Sequence, residues 1–569
     1  MDIQRLSVAD VATHNKPDDI YVIVDENVYD LTEFQDDHPG GKKILSRVAG
    51  KDASRQFWKY HNEGVLKKYK NKLLVGVLDT KVDKNNEAYK EIPEPKRQSN
   101  ATELIQLRVG TEPTEPTEPD GILEPFGNMI PFADPSWYQG FYSPYYNVSH
   151  VALRKEVREW ITKKVEPFVS GWEEDRKVPE EIYKEMGTRG YLAGLMGSPY
   201  CSEYTNTRVA SVSSNWDVFH ELILTDEISR AGSGGFVWNV IGGFGIGAPP
   251  VMRSGSEKLK KRILPEILNG NKRICLAVTE PDAGSDVSNI RCDAVLSEDG
   301  KYYVVNGEKK WITNGIWCDY FTTAVRTGTI ESGMDGISIL LIERSFGGVN
   351  TRQMHCQGVF SSGTTYVTFE DVKVPVENLI GKENRGFKGI CSKSISDSLI
   401  IFGSLVLMTN FNHERIGIII QCLRFSRVCY EESVKYAHRR RTFGKPLIKH
   451  PVIRLKLAHM IRQIEASYAW LESIVAQAGN LPEEVAILRL GGPIASLKAQ
   501  STITFEFCAR EASQIFGGLS YSRGGQGGKV ERLYRDVRAY AIPGGSEEIM
   551  LDLSIRQSLK VSELTGMKL

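Results

Sequence analysis

Cys275-Leu-Ala-Val-Thr-Glu-Pro-Asp-Ala-Gly-Ser-Asp286, running on to Asn306-Gly-Glu-Lys-Lys-Trp-Ile-Thr-Asn-Gly315, is the stretch whose reading decides the fold. Val278 and Thr279 close a short apolar run. Pro281, Ala283, Gly284 and Ser285 then break regular structure, which leaves backbone N–H groups open to a ligand. A loop of small residues carrying a Ser and a Thr can receive a phosphate through N–H and O–H donors. Downstream, residues 302–305, the pair Asn306-Gly307 and residues 311–313 read as strand, tight turn and strand. Trp311 offers a flat apolar face and Thr313 a hydroxyl, a pairing that suits a planar heterocycle. The same residues also suit an ordinary hairpin with a core tryptophan.

The two motifs, in this order and at this separation, closely resemble the flavin-binding core of the acyl-CoA dehydrogenase family. The resemblance implies that Val278 and Thr279 meet the ring of FAD and that Trp311 and Thr313 line its face and N5. It also implies that Ser285 meets the pyrophosphate and borders the substrate.

At 569 residues the chain is too long for one core, and several domains are expected. Lys+Arg and Asp+Glu both number 71, and no basic excess points to nucleic acid. The longest apolar run, residues 399–408, is broken by Gly403 and Ser404, so no membrane span is expected. Nine cysteines lie scattered without a Cys-x-x-Cys pair, which suits a reducing compartment without structural zinc. The first residues carry no apolar signal core and no Arg/Ser-rich presequence. Met567-Lys-Leu569 matches the peroxisomal tripeptide only in part. A cytoplasmic or peroxisomal protein is the expectation.

Residues 1–80 form a small unit. Residues 21–24 and 28–29 flank a turn at 25–27 and read as a hairpin. Phe34-Gln-Asp-Asp-His-Pro-Gly-Gly41 then presents His38 among turn breakers, and Phe57, Trp58, Tyr60 and His61 follow a helical segment. A lone histidine is more often a plain surface or core residue. Two in an aromatic setting can clasp a haem iron from both faces. His-Pro-Gly-Gly with a second histidine downstream resembles the cytochrome b5 domain, which implies haem b with His38 and His61 as axial metal ligands. Such ligation leaves no open position, so the haem would carry electrons to or from a partner.

Residues 81–140 read as a linker: a charged part, then Thr111-Glu-Pro-Thr-Glu-Pro-Thr-Glu-Pro119. That composition cannot bury a core. It suits a tether that concentrates the haem near its partner, and equally an inert spacer.

Residues 141–274 read as helical. Leu153, Val157, Trp160, Ile161, Val165 and Phe168 recur at helical spacing. Pro179 stands at a first helical turn, and residues 219–228 and 257–268 form further helices. Gly242-Gly-Phe-Gly-Ile-Gly247 fits close helix packing somewhat better than close approach of an acyl chain or flavin. Residues 275–375 hold mostly strand patterns, and residues 376–569 are mainly helical. This order matches the three-part acyl-CoA dehydrogenase fold. The fold class is thus multidomain: a small α+β cytochrome b5-like domain, then an α-helical domain, a β-sheet domain and a four-helix-bundle-like α-helical domain. Residues 391–407 fit no part of the pattern and read as a retained intron or a true insertion.

Dehydrogenation next to a thioester needs a carboxylate whose pKa is raised by burial and fixed donors on the thioester oxygen. The resemblance offers two places for the carboxylate. Ile542-Pro-Gly-Gly-Ser546 has Gly544 where one would stand, which closes that option. Glu414, in Asn412-His-Glu-Arg415, occupies the other. A surface Glu–Arg pair near a helix start is the plainer alternative. Gly544 can still give its N–H to the thioester oxygen. Arg415 would meet the CoA phosphates or form a salt bridge.

His438-Arg-Arg-Arg-Thr-Phe-Gly-Lys445 resembles the family segment that reaches the flavin of a neighbouring subunit. It implies Arg440, Thr442 and Phe443 as contacts, joined by Gln514, Gly517 and Gly518. Ser546 and Glu548 fall where the family touches the flavin again, although Glu548 departs from the more usual Gln. No protomer would then complete its own site, and a homodimer or homotetramer is expected.

The expected activity is FAD-dependent conversion of an acyl-CoA to a trans-2-enoyl-CoA. An oxidase, a hydroxyacyl-CoA-handling relative and a non-catalytic flavin-bound scaffold remain alternatives. Chain length and branching of the acyl group are not legible.

Overall fold

The computed structural model describes residues 4–35, 38, 42–54, 57, 69–70, 72–79, 124–212, 215–386 and 406–564, with the side chains of 43, 406–410, 484 and 564 set aside. The chain divides into two compact units, residues 1–115 and residues 116–569.

In the first unit, strands Asp19–Val24 and Asn27–Asp30 pair antiparallel in the expected hairpin, with Val24 opposite Asn27. Asp25 takes φ +57° at the turn, a conformation Asp tolerates better than most residues. Strand Leu74–Leu78 continues the sheet beside Asn27–Asp30 and pairs in parallel with Gln4–Leu6. The strand period of two sends Ile20, Val22 and Val24 into one cluster, with Tyr29, Ala49 and Ala53. Ile23 packs on the other face with Val11 and Val28.

The second unit opens with helices Val148–Lys164, Glu180–Thr188, Val218–Ser229, Gly243–Ser254 and Glu257–Leu268. The stripe read from the sequence is buried at Leu153, Val157, Trp160, Ile161 and Val165, whereas Phe168 is exposed. Pro179 sits just ahead of the first turn, at the cap position of Glu180–Thr188. Asn147 and Asp217 each cap a helix, and His150 and His220, three residues on, return a ring Nδ1 to the cap N–H at 3.0 and 3.1 Å. His150, Asp217 and His220 stand close enough for a metal ion. His150 Nδ1 faces a backbone donor and its Nε2 meets Asp217 at 3.0 Å, while His220 Nδ1 faces both the Asp217 N–H and the Asp217 carboxylate at 2.9 Å. The cluster is a pair of caps.

Eight strands form the middle sheet: Ile274–Ala277, Asp293–Leu296, Tyr302–Ile312, Tyr320–Arg326, Ile337–Glu343, Val349–Gln353, Thr365–Pro375 and Leu379–Ile380. The expected turn at Asn306-Gly307 is absent, because one strand runs unbroken through it. Gly307 serves close approach instead. It holds φ +138°, and a Cβ there would lie 2.6 Å from the Cys292 Cα.

The last part is a bundle of long helices, Val406–Arg439, Pro451–Asn480, Glu483–Phe516, Gly528–Ala541 and Glu547–Leu564. Residues 391–405 lie outside the described residues, and the first bundle helix begins at Val406. Buried ions lock this helix to the amino-terminal helices. Arg424 donates to Asp134 at 2.9 Å and pairs with Asp226, while Arg158 donates to Asp134 at 2.9 Å and to Glu227 at 2.5 Å. Among the described residues no helix is long and apolar enough to cross a membrane.

Candidate active site

The loop after strand Ile274–Ala277 is braced from below. Lys309, fully buried, donates to the Val278 carbonyl at 2.9 Å and to Glu280 at 2.7 Å. Glu280 in turn accepts the N–H groups of Arg291 and Cys292 at 2.6 and 3.0 Å. The buried carboxylate is thus fully hydrogen-bonded, as its burial requires. Val278 is buried and Thr279 half-buried, whereas Gly284 and Ser285 beyond the brace are exposed.

Strand Tyr302–Ile312 ends in a strained corner. Trp311 and Asn314 hold φ +60° and +63°, which is rare for residues with a Cβ and concentrates at functional sites. Trp311 keeps 49% of its surface exposed, with the Lys310 ammonium 4.5 Å from its ring centre. Asn314 fixes the corner by donating to the carbonyls of Trp238 and Ser362 at 3.2 and 2.8 Å. Thr313 lies beside Gly242, where a Cβ would come within 3.3 Å of its methyl. Gly247 packs on the Cys275 backbone, which a Cβ would meet at 2.6 Å. The glycine-rich segment is therefore close packing against the two halves of the opening motif. The turn that leads into it, Trp238–Gly242, is π-helical, a form that recurs at functional sites.

Glu414 stands near the start of helix Val406–Arg439, half-buried. Burial lifts its carboxyl above the ordinary value, against the opposing pull of Arg415, Lys498 and His413. His413 binds Glu221 at 2.5 Å and so ties this turn to helix Val218–Ser229. One turn after Glu414, the Ile418 side chain touches the loop that carries Gly544. Gly544 holds φ +68°, and a Cβ there would lie 2.8 Å from Ile418 Cδ1. Among the described residues no acceptor takes the Gly544 N–H.

Arg415 is turned inward. It is only 8% exposed, and its Nε donates to the Gly544 carbonyl at 2.9 Å. It braces a loop. Ser546 precedes the last helix and Glu548 lies in its first turn, exposed, its carboxyl held below the ordinary value by backbone and Ser546 hydrogen bonds. Lys498 escaped the sequence reading. Its side chain is fully buried on helix Glu483–Phe516 and donates to the carbonyls of Ala541 and Gly545 at 2.9 and 2.6 Å. A lone cation between Leu497 and Ala499, in an otherwise apolar stripe, was the available signal.

The remaining residues gather elsewhere on the bundle. Strands Arg441–Thr442 and Lys445–Pro446 form a short hairpin with Phe443 at its tip, φ +49° and 95% exposed. Arg440 is exposed, and Thr442 meets His450 at 3.1 Å. Gln514, Gly517 and Gly518 are exposed at the end of helix Glu483–Phe516. Tyr436 stacks on Phe516 at 4.4 Å, which brings the two segments together. In the first unit, His38 lies edge-on to Phe34 with ring centres 6.0 Å apart. His61 falls outside the described residues.

Residues 147–271, 275–372 and 403–559 match, in turn, the N-terminal, middle and C-terminal domains of acyl-CoA dehydrogenase. The acyl-CoA dehydrogenase AFT10-1 of Alternaria alternata is 41% identical over 440 residues, which cover 76% of this chain and 97% of that one. The chain belongs to the acyl-CoA dehydrogenase family. It is accordingly an oxidoreductase of the class that acts on CH–CH bonds. The acyl-CoA dehydrogenase apdG of Emericella nidulans is 39% identical, over 78% of this chain and 98% of its own length. Among solved structures, a probable acyl-CoA dehydrogenase from Mycobacterium abscessus superposes with TM-score 0.62 at 31% identity, covering 72% of this chain and 98% of its own. A glutaryl-coenzyme A dehydrogenase in complex with glutaryl-CoA gives 0.63 at 26% identity, over 74% and 97%. Residues 7–79 match the cytochrome b5-like haem/steroid binding domain, so a cytochrome b5-like domain precedes the dehydrogenase fold.

Proposed function

We propose that this acyl-CoA dehydrogenase family member converts an acyl-CoA to its trans-2-enoyl-CoA with FAD, using Glu414 as base, and that its amino-terminal unit carries electrons through haem b. The observation that carries the reading is a carboxyl raised by burial, Glu414, one turn from Ile418, whose side chain abuts Gly544, a glycine whose N–H has no acceptor among the described residues.

The chain's own residues divide the work. Glu414 takes the proton from the α carbon. Gly544 donates its N–H to the thioester oxygen, where charge develops as that proton leaves. The strained Trp311 corner and the exposed Gly284-Ser285 loop fit FAD: a flat apolar face beside donors for a pyrophosphate. Val278, Thr279 and Thr313 would border its ring, with Ser546 and Glu548 at a further contact. Bound FAD supplies the acceptor for the hydride that leaves the β carbon. Arg440, Thr442, Phe443, Gln514, Gly517 and Gly518 would complete the site of a neighbouring protomer, which the outward-facing Phe443 supports. His38 and His61 would hold the haem iron.

Anaerobic titration of the purified protein with a panel of acyl-CoAs tests the reading. One of them is expected to bleach the flavin absorbance with an enoyl-CoA as product. Intact flavin absorbance with every thioester would move the scaffold alternative ahead.

A further inference from the structure

Lys498 is a buried cation in the interior of a bundle helix, and the dehydrogenation scheme gives it no task. Its Nζ reaches the carbonyls of Ala541 at 2.9 Å and Gly545 at 2.6 Å, which bracket the turn that carries Gly544. Arg415 holds the carbonyl between them, that of Gly544, at 2.9 Å. Two cations therefore grip three carbonyls of one short turn. That turn lacks a Cβ at Gly544 and Gly545, both at positive φ, so its conformation has little intrinsic preference and depends on the grip. Lys498 Cε would lie 3.8 Å from a Cβ on Gly544, directly beneath the group that meets the thioester.

We propose that Lys498 is a positioning residue for the dehydrogenation, its ammonium clamping the Ala541 and Gly545 carbonyls so that the Gly544 N–H stays aimed at the thioester oxygen beside Glu414. The proposal rests on the assignment of Glu414 and Gly544 given above. An N–H aimed at a developing oxyanion acts only if the turn holds still through the reaction.

The groups facing the ammonium come from two elements. Cys422, Glu414 and Arg415 lie on the base helix, and Glu547 begins the last helix. Burial pulls Lys498 down to about 8, while Cys422, Glu414 and Glu547 favour the charged form and Arg415 opposes it. Rising pH thus removes a proton from the clamp near 8. The neutral amine is a weaker donor to both carbonyls.

The test is the pH profile of flavin reduction by a saturating acyl-CoA in wild type, Lys498→Arg and Lys498→Met, with flavin content and thermal midpoint recorded. Wild type is expected to lose rate as pH climbs through about 8. Lys498→Arg, which stays charged, is expected to keep its rate past that point. Lys498→Met is expected to lose about 10- to 100-fold in kcat at neutral pH, with KM nearly unchanged and no alkaline decline. The carbonyl stretch of a bound trans-2-enoyl-CoA supplies a readout apart from turnover, and it should move toward the free-solution value in Lys498→Met. An unchanged carbonyl stretch and kcat in that variant would overturn the clamp while leaving the dehydrogenase reading intact. Should Lys498→Met fail to fold, an Arg variant with the wild-type alkaline decline overturns it equally. If wild type itself shows no flavin reduction, the dehydrogenase reading falls and the clamp falls with it.

Discussion

A carboxyl that burial raises must still lose its proton before it can act as a base. Glu414 has its pKa lifted, so kcat/KM should climb with pH along a limb placed above the ordinary glutamate value of 4.5. Glu414→Gln should lower turnover by about 10²- to 10⁴-fold while the flavin band persists, and a flavin-loaded variant with full turnover would refute the assignment. Gly544→Ala should also cost rate, because its methyl would press on Ile418 at a residue with φ +68°. A stopped-flow trace of flavin reduction reads both. Glu414 and Gly544 could be proposed from the sequence because the chemistry of the reaction asks for a base and a donor, and the family pattern offers few places for either. The inward turn of Arg415 could not. A guanidinium beside the base invites an anion, and only the fold shows it turned inward onto the Gly544 carbonyl. Lys309 and Glu280 were invisible as a pair for the same reason, since strand packing alone brings them to 2.7 Å.

The helix that carries Glu414 is held in place by ions buried far from the reaction. Arg424 is fully buried between Asp134 and Asp226, themselves almost without exposure. Removing it takes the hydrogen-bonded guanidinium from Asp226 in a low-dielectric interior, while Asp134 keeps Arg158. Arg424→Leu should therefore lower stability by about 3–5 kcal/mol, measured by urea unfolding, where a loss within experimental scatter would contradict the role. The same cluster sets an acid limit. Arg158, Arg424 and Arg230 hold the Asp134 carboxyl well below the usual carboxylate range. A group depressed in the folded state contributes stability above its unfolded pKa of 3.8 and loses it as pH falls through the folded value. Thermal unfolding should accordingly soften below about pH 4 in wild type, and less so in Asp134→Asn, which begins from a lower midpoint. At this scale the sequence was read best where one periodicity prevails. Residues 257–268 emerge as helix Glu257–Leu268 without a shift. Asn306-Gly307 misled because that pair is a strong turn signal, whereas Gly307 is there to let its strand approach Cys292.

Across the whole molecule, two units of different chemistry share one chain, and neither completes the proposed electron path alone. The hairpin at 441–446 sends Phe443 outward with 95% of its surface exposed, where a neighbouring copy could cover it. If a second copy does so, Phe443→Asp should yield a smaller species in sedimentation velocity and a poorer hold on flavin. An unchanged sedimentation coefficient would instead place the oligomer contact elsewhere. The haem question is separable from both. In the proposed ligation His38 is one of two axial histidines, and a haem so held would have no open site and would only pass electrons. His38→Ala in the full chain should abolish the haem absorbance while an acyl-CoA still bleaches the flavin at the wild-type rate, because every residue proposed for the dehydrogenation falls in the second unit, residues 116–569. In wild type, anaerobic addition of the same acyl-CoA should bleach the flavin first and then shift the haem bands to the ferrous form. The order matters: the hydride leaves as an electron pair, and a haem accepts one electron at a time, so its reduction must trail the flavin. Haem bands that stay ferric beside a fully reduced flavin would assign the haem to a different donor and leave the dehydrogenase half standing.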